Sequence, residues 1–310
     1  MNFYIKYFFI LFIALSLVNC SEENNSSYEP QHSKTPPLLK NKIYIFGIHP
    51  LHNPKRLFEV YQPMVDYINR RIKGSQLRLE ASRNYAYFDK KLFSGYFHIA
   101  LPNPYQTVIS LQKGYRVFGK MADDENFRGI ILVRKDSGIE EVSDLIGKKV
   151  SYPAPTALAA TMMPQWYLYK NGLNINRDIS NLYVGSQESS IMNVFLGKSA
   201  AAATWPPPWK AFIKQRPEIA EQVIIKWETK PLLNNALVVR EDVPPALVSQ
   251  ISKIIFSLHK SKKGRKILQA MELSRYESAT DETYIPIQQF LDTFEDEVRL
   301  IRDTEDENEK

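Results

Sequence analysis

Short apolar runs that favour β-strands alternate with amphipathic helical stretches along most of this 310-residue chain. Apolar side chains at Leu57, Tyr61, Val65, Ile68 and Ile72 recur three and four positions apart, as on one face of a helix. The order β-α-β-α-β predicts an α/β fold with a largely parallel sheet and helices on both of its faces. In this first unit, strands are predicted at residues 43–48, 77–80 and 97–101, and helices at residues 57–72 and 88–93.

A second unit repeats the same alternation without any short repeat period, which argues against a solenoid. Two comparable α/β units in tandem are therefore expected. Strands are predicted at residues 129–133, 149–152, 182–184, 200–204, 223–227 and 236–239. Helices are predicted at residues 142–146, from the strand at 149–152 through Tyr169, at 189–196 and at 244–258.

The first twenty residues have the pattern of an export signal. Lys6 is followed by an apolar stretch over residues 8–18, which is too short to span a bilayer core of ~30 Å. Residues 1–19 are thus predicted to be a signal peptide. The ending Leu17-Val18-Asn19-Cys20 resembles the lipobox of bacterial lipoproteins, which implies lipidation of Cys20. Ordinary cleavage that leaves a free thiol is the alternative.

Residues 20–40 contain few apolar side chains and are predicted to form a flexible tether. Cys20 is the only cysteine, so the chain has neither an internal disulfide nor a cysteine-rich zinc site. The formal net charge is +6. The densest basic run, residues 262–266, is expected on the solvated face of a helix, and no nucleic-acid partner is predicted.

The sequence contains none of the short motifs that mark common catalytic or cofactor sites. A Gly-rich nucleotide loop, a nucleophile elbow and a His-Glu-x-x-His helix are all missing from it. The histidines lack the spacing of a metal site. Neither enzymatic activity nor a cofactor is therefore predicted.

Several ordered motifs resemble one family, the phosphate/phosphite/phosphonate-type solute-binding proteins of ABC importers. The similarity covers roughly residues 43–290, nearly the whole predicted mature domain. The motifs lie at residues 46–50, 61–67, 84–86, 95–105, 133–139, 144–155, 185–189 and 239–245.

This resemblance implies a two-lobe type 2 periplasmic-binding-protein fold with a hinge of two crossing strands and a ligand between the lobes. Lobe 1 would comprise residues 43–125 plus 238–290, and lobe 2 residues 126–237. Residues 291–310 would form the end of a C-terminal helix and an acidic tail. The implied partners are a small ligand, expected to be anionic, and an ABC permease, at a lipid-anchored location in the cell envelope.

The resemblance also implies a set of ligand-binding residues. The strand-to-helix junction at residues 152–160, which includes Thr156, occupies the place of the family's anion cradle, where helix N-terminal N–H groups hold an oxyanion. Asn235 stands where the family has a carboxylate, and Gln187 where it has a histidine. The ligand-binding residues implied are Tyr85, Tyr105, Phe127, Pro155, Thr156, Ala157, Gln187, Glu188, Trp205 and Asn235.

Structural roles compete with several of these assignments. Tyr85 is equally compatible with packing at the sheet edge. Thr156 has a residue type favoured at helix N-caps, so an N-cap role is expected for it with or without a ligand. Trp205 and Trp209 flank three prolines and are as compatible with a core as with ligand stacking. At the level of function, a sensing or interaction lipoprotein that no longer serves transport is the alternative to a transport receptor.

Overall fold

The computed structural model describes residues 41–301. The predicted signal peptide, the predicted lipidation site at Cys20, the predicted tether and the end of the predicted acidic tail fall outside the described residues. Residues 41–301 belong to one compact unit. No helix within this range combines the length and the apolar character needed to cross a bilayer.

The described chain folds into two sheets, each covered by helices. The first sheet has six strands in the order β11-β4-β10-β3-β1-β2. Its strands are β1 (Lys42–Ile48), β2 (Ser75–Ala81), β3 (Ile99–Leu101), β4 (Tyr115–Met121), β10 (Ala236–Arg240) and β11 (Tyr276–Glu277). The second sheet has five strands in the order β7-β6-β8-β5-β9. Its strands are β5 (Ile130–Arg134), β6 (Lys149–Tyr152), β7 (Ser180–Tyr183), β8 (Ala201–Thr204) and β9 (Val223–Glu228).

Ten α-helices lie among the described residues. They are α1 (Pro54–Asn69), α2 (Tyr85–Phe93), α3 (Pro104–Leu111), α4 (Met163–Lys170), α5 (Gln187–Phe195), α6 (Pro206–Gln215), α7 (Pro217–Gln222), α8 (Pro245–Phe256), α9 (Lys262–Ala270) and α10 (Ile285–Glu297). A π-helix, Leu158–Met162, leads directly into α4. Short 3-10 turns are Asp124–Asn126, Val142–Leu145, Leu258–Lys260 and Asp281–Tyr284.

The three strands predicted for the first unit pair in parallel, as predicted, but each complete sheet is mixed and is therefore not largely parallel. In the first sheet β1 pairs in parallel with β2 and β3, but β10 lies antiparallel between β3 and β4. In the second sheet β5 runs antiparallel to β8 and β9. The physical reason is the path of the chain: β10 re-enters the first sheet from the second, which reverses its direction relative to its neighbours.

Helix prediction failed mainly where local periodicity is weak. The predicted helix at residues 142–146 is a 3-10 turn, and the helix expected directly after β6 begins only at Leu158, because residues 153–157 form an irregular turn. Strands β4 and β11 and helices α3, α6 and α7 were not predicted, whereas the predicted end of a C-terminal helix lies in α10. The periodic stretch over residues 57–72 is α1, whose apolar face is buried against the first sheet.

One large cluster of buried apolar side chains runs through both α/β units. It includes Phe46 and Tyr61 beside the first sheet and Tyr152 and Leu168 beside the second. Burying side chains of this size stabilises the fold by ~1.5–3 kcal/mol each. The two units therefore share a continuous core.

Two chain segments, residues 122–129 and 229–235, connect the two sheets and bond to each other. Asn234 donates to the Ala122 carbonyl at 2.7 Å, and the Leu232 N–H donates to the Phe127 carbonyl at 2.9 Å. The connection near β4 is held by buried Lys120, which pairs with Asp124 at 2.8 Å. These contacts fix how the two sheets meet.

The C-terminal helix α10 forms a third link. It packs against α3 of the first unit, while the residues at and after its end bind the second. Arg299 donates to the Pro155 carbonyl at 2.9 Å and to Gln165 at 2.8 Å, and Lys170 pairs with Glu297 at 2.9 Å. Residues 291–301 are therefore part of the packed structure.

Candidate functional site

A small cavity lies where the two α/β units meet, and we call it the cleft cavity. Its volume is about 10 Å³, which is room for roughly one water molecule. No Asp, Glu, Lys or Arg lines it. The lining residues are His49, Tyr85, Asn103, Phe127, Ala157, Leu158, Ala159, Ala160, Gln187, Trp205 and Asn235.

One wall of the cleft cavity is the start of the helix that follows β6. Leu158, Ala159 and Ala160 begin this helix and line the cavity. The first N–H groups of a helix have no partner within the helix, and the helix dipole adds a partial positive charge there. Gly129 packs against this turn so closely that a Cβ would lie 2.7 Å from the Ala159 carbonyl. The site therefore offers several backbone donors to an oxygen atom.

Thr156 is held from the first α/β unit and does not cap the helix. The N-cap position is Ala157, which has no side-chain bond, so the N-cap prediction for Thr156 is wrong. The Thr156 hydroxyl donates to buried Asp89 at 3.3 Å, and its carbonyl accepts from Asn103 at 3.0 Å. Asp89 also accepts from Gln106 at 2.6 Å. Thr156 thus joins the two units beside the cavity.

Gln187, the first residue of α5, makes a second bridge between the units. Its amide oxygen accepts from the Thr204 hydroxyl at 2.7 Å, which turns its NH₂ group toward the Tyr85 hydroxyl at 3.2 Å. Burial raises the pKa of Tyr85, so its hydroxyl remains protonated. Because this oxygen accepts from Gln187, its proton is available to a further acceptor.

Asn235 has an unpartnered polar atom in the cavity lining. The residue is fully buried, and its Oδ1 has no hydrogen-bond partner among the described residues. Its Nδ2 lies 3.5 Å from the Met121 sulfur, which is a weak acceptor. Leaving a buried amide unsatisfied costs ~1–3 kcal/mol. Because the unpartnered atom is an acceptor, this side chain can take a hydrogen bond from a hydroxyl or N–H group.

His49, directly after β1, is a lining residue that the sequence did not predict. Its Nδ1 lies 2.9 Å from the Leu101 carbonyl, so this nitrogen must carry the proton and donate. Burial lowers the pKa of His49 to about 4, the bond to Leu101 opposing the shift. The ring is neutral near pH 7, which leaves Nε2 as an acceptor.

The aromatic part of the lining consists of Phe127 and Trp205, whose rings meet edge to face at 5.4 Å between centroids. Trp205 is buried and immediately precedes α6. Trp209 lies one turn into α6 and packs into a smaller apolar cluster beneath the second sheet. The two tryptophans therefore differ: Trp205 lines the cavity, and Trp209 belongs to the core.

Glu188 does not line the cleft cavity. It accepts hydrogen bonds from the N–H and side-chain amide of Asn53, both at 3.3 Å, at the other edge of the junction between the units. A separate space of about 50 Å³ lies there, bordered by Glu188, His52 and Arg56. Burial, followed by the charge of Arg56, lowers the pKa of His52 to about 3. Glu188 thus bridges the starts of α1 and α5.

Pro155 and Tyr105 also lie outside the lining of the cleft cavity. Pro155 borders an outer space of about 150 Å³ together with Tyr85 and Tyr183, so Tyr85 separates the inner and outer spaces. Tyr105 is half-buried in the first turn of α3 and packs against the large core cluster.

Of the ten residues predicted to bind a ligand, six line one cavity. These six are Tyr85, Phe127, Ala157, Gln187, Trp205 and Asn235. Sequence reasoning missed Asn103, which caps α3 and reaches Thr156, and His49. His49 directly follows β1, and Asn103 follows β3 after Pro102. A polar residue just after a parallel strand is the signal that points to them. No three or more His, Cys, Asp or Glu side chains in residues 41–301 are arranged to hold a metal ion.

Solved structures share this fold. The binding protein component of an ABC phosphonate transporter from Pseudomonas aeruginosa matches with a TM-score of 0.75 at 17% identity, over 81% of this chain and 86% of that chain. The methylphosphonate complex of PhnD1 from Prochlorococcus marinus matches with a TM-score of 0.75 at 16% identity, over 82% and 98%. The alkanesulfonate-binding protein SsuA from Xanthomonas axonopodis pv. citri, bound to MOPS, matches with a TM-score of 0.59 at 15% identity, over 82% and 93%.

Two α/β lobes with a cavity at their junction define a type 2 periplasmic binding protein, as the sequence resemblance implied. The family model for the periplasmic substrate-binding protein of phosphonate ABC transporters matches residues 46–284. This chain belongs to that family of transport binding proteins.

Proposed function

We propose that this protein captures a small phosphorus oxyanion, such as a phosphonate, phosphite or phosphate, in the cleft cavity and delivers it to an ABC permease. The observation that carries the proposal is the donor set. Backbone N–H groups at the start of the helix at Leu158 share one cavity with the side-chain NH₂ groups of Asn103 and Gln187, while the unpartnered Asn235 Oδ1 would accept from a P–OH group. Donors of this kind bind the oxygens of an anion without a balancing cation.

The absence of a charged side chain from this lining favours a singly charged ligand over a doubly charged one. A second negative charge would have only partial charges to oppose the cost of leaving water. The neutral His49 ring would accept a hydrogen bond from the P–OH group of a monoanion. Protonated monoanions of phosphonate or phosphite fit this donor and acceptor pattern.

Binding requires the two lobes to separate and close again, because the cavity holds roughly one water molecule. Opening would break the bonds between Tyr85 and Gln187, Thr156 and Asp89, and Asn103 and Thr156. A ligand that bonds to both lobes would favour the closed state by its differential affinity for that state.

The proposal is tested by thermal unfolding and calorimetry with methylphosphonate, phosphite, phosphate and sulfate. A ligand at a hundred times its Kd stabilises the folded state by ~2.7 kcal/mol. Methylphosphonate or phosphite is expected to raise the Tm, and sulfate, which carries two charges at pH 7, to have a smaller effect. Unchanged melting with all three phosphorus oxyanions would exclude this ligand class and leave the fold assignment intact.

We also propose that Cys20 carries a lipid that tethers the protein to a membrane of the cell envelope. The support is the position of the only cysteine at the end of an apolar export signal. Mass spectrometry of the mature N-terminus would detect the lipid. Cys20→Ser is expected to move the protein from the membrane fraction to the soluble fraction.

A sensing lipoprotein without a transport role is the second candidate, favoured by the small volume of the cleft cavity in the closed arrangement. Growth on a phosphonate as the sole phosphorus source separates the two. Loss of growth on deletion of the gene, restored by the parent but not by Asn235→Leu, supports transport.

A further inference from the structure

An uninterrupted basic segment covers one end of the first lobe. Residues 243–271 contain no Asp or Glu and six Lys or Arg residues. The segment includes α8, a 3-10 turn and α9. Its cations are Lys253, Lys260, Lys262, Lys263, Arg265 and Lys266, all of them exposed.

These cations are not neutralised by acidic side chains of the described chain, and the Arg265 guanidinium donates only to the His259 carbonyl, at 3.2 Å. None of the six forms an ion pair with the rest of residues 41–301. Lys262 and Lys263 occupy the first turn of α9, where the helix dipole disfavours positive charge. Lys262 and Lys266 are four residues apart and repel each other. This distribution of positive charge lowers the stability of α9, so a contribution to folding does not explain why these cations are present.

The end of α1 adds more cations beside α9. The two helices pack together, and the Tyr67 hydroxyl lies 3.3 Å from the Ser261 hydroxyl at the N-cap of α9. The Arg71 guanidinium stacks over the Tyr67 ring at 3.4 Å from its centroid. Arg70 and Lys73 are exposed on the same turn of chain. We call the six cations of residues 243–271 together with Arg70, Arg71 and Lys73 the basic face.

The chain enters the folded domain at this same end. The Lys42 N–H donates to the Gly74 carbonyl at 3.3 Å, which places the first strand residue directly beside the turn that carries Lys73. Residues 20–40 precede this point and would span at most ~70 Å when fully extended. An anchor at Cys20 would therefore be joined to the domain at the end that bears the basic face.

We propose that the basic face docks the receptor onto the anionic phospholipid headgroups of the membrane that carries its anchor. Lys and Arg residues near an anionic bilayer are attracted within a Debye length of the surface. A membrane fits better than an acidic protein or a nucleic acid, because the chain leading to the anchor leaves the domain next to these cations. The argument for this partner rests on the proposed lipidation of Cys20, but the binding itself does not require the lipid.

The test is cosedimentation with vesicles of phosphatidylcholine alone or mixed with phosphatidylglycerol. The protein is the chain from residue 20 onward with Cys20→Ser, which contains every described residue and no lipid. It is expected to bind only the anionic vesicles and to be released as salt rises from about 0.01 M to about 1 M, which shortens the Debye length from about 30 Å to about 3 Å.

Two variants with the same change in net charge locate the surface. Lys262→Glu, Lys263→Glu, Arg265→Glu and Lys266→Glu together are expected to reduce vesicle binding at least tenfold. The matched control places Glu at four exposed lysines of the second lobe and is expected to retain binding. Its substitutions are Lys135→Glu, Lys148→Glu, Lys198→Glu and Lys214→Glu.

Circular dichroism and the Tm verify that both variants fold. If either variant does not fold, the same positions are changed to the neutral Gln instead of Glu. Equal loss of binding in both variants, or no binding of the parent to anionic vesicles at low salt, would overturn the proposal. Failure of lipidation would appear separately, as an unmodified N-terminus in the mass spectrum of the full chain.

Discussion

The side-chain amide of Gln187 donates to the Tyr85 hydroxyl at 3.2 Å across the junction between the two lobes. The bond joins the start of α5 in the second lobe to the start of α2 in the first. It leaves the Tyr85 proton free to be donated, so under the proposed function one hydroxyl would serve both lobe closure and ligand binding.

Replacing Tyr85 by Phe tests this double role. Tyr85→Phe is expected to weaken methylphosphonate binding about tenfold, since a hydrogen bond to a charged group contributes ~1.5 kcal/mol or more. Isothermal titration calorimetry measures the change. Tyr87→Phe is the control, because Tyr87 lies on the same helix but stacks under Arg83 outside the cleft cavity. Equal affinities for parent and Tyr85→Phe would remove Tyr85 from the site.

Asn235 and Asn234 form a matched pair for separating ligand binding from stability. Asn235→Leu is expected to abolish phosphonate binding while leaving the free energy of unfolding unchanged or higher, because it removes an unpartnered buried amide. Asn234→Leu is expected to lower that free energy by ~2 kcal/mol, since it breaks bonds to the Ala122 carbonyl and the Asn235 N–H. Chemical denaturation and calorimetry measure both. A large loss of stability in Asn235→Leu would show that the Asn235 side chain makes favourable hydrogen bonds in the folded state, contrary to the unpartnered Oδ1.

Gly129 tests the packing behind the turn proposed to bind the anion. A Cβ at this position would lie 2.7 Å from the Ala159 carbonyl and from the Pro164 ring. Gly129→Ala is therefore expected to cost ~1–3 kcal/mol of stability and to weaken ligand binding by displacing the N–H groups at Leu158 and Ala159. Gly172→Ala is the control, since it strains a backbone φ of 89° without a close contact. It should lower the Tm but not the affinity; equal affinity losses in both variants would contradict the steric argument.

The buried His49 predicts how stability depends on pH. Because burial lowers its pKa from 6.5 to about 4, the unfolded chain binds more protons than the folded one between these values. The contribution is fully present above pH 6.5 and is lost as the pH falls toward 4, by up to ~3 kcal/mol. The free energy of unfolding, measured by urea denaturation, should therefore fall between pH 6.5 and 4.5.

His49→Gln is the variant that assigns this loss to one residue. It retains a donor for the Leu101 carbonyl and should flatten the profile in that range. The remaining slope would arise from His52, whose pKa is lowered to about 3, and from His98, whose pKa burial also lowers. His259→Gln, at a half-buried position outside the cleft cavity, serves as the control. A parent profile that stays level from pH 6.5 to 4.5 would show that His49 does not remain neutral in the folded state.

Local patterns in the sequence predicted most strands and the helix at residues 57–72, because periodicity is a property of neighbouring residues. They failed at β11, a strand of two residues, and in the irregular turn at residues 153–157. The resemblance to a known family identified six residues of the cleft cavity. It did not identify His49 or Asn103, whose positions in the site depend on how two distant segments pack together.

The amino-acid sequence alone determined the alternation of strands and helices and the two tandem α/β units. It also determined that Gln187 and Asn235 are uncharged. Tertiary structure decided that β10 lies antiparallel between β3 and β4, that Thr156 bonds to Asp89, and that Glu188 bridges to Asn53 outside the cleft cavity. It also decided that the basic face lies beside the point where the chain enters the domain. The physical reason is that these relationships join residues far apart in the chain, and only the packed core brings them within hydrogen-bonding distance.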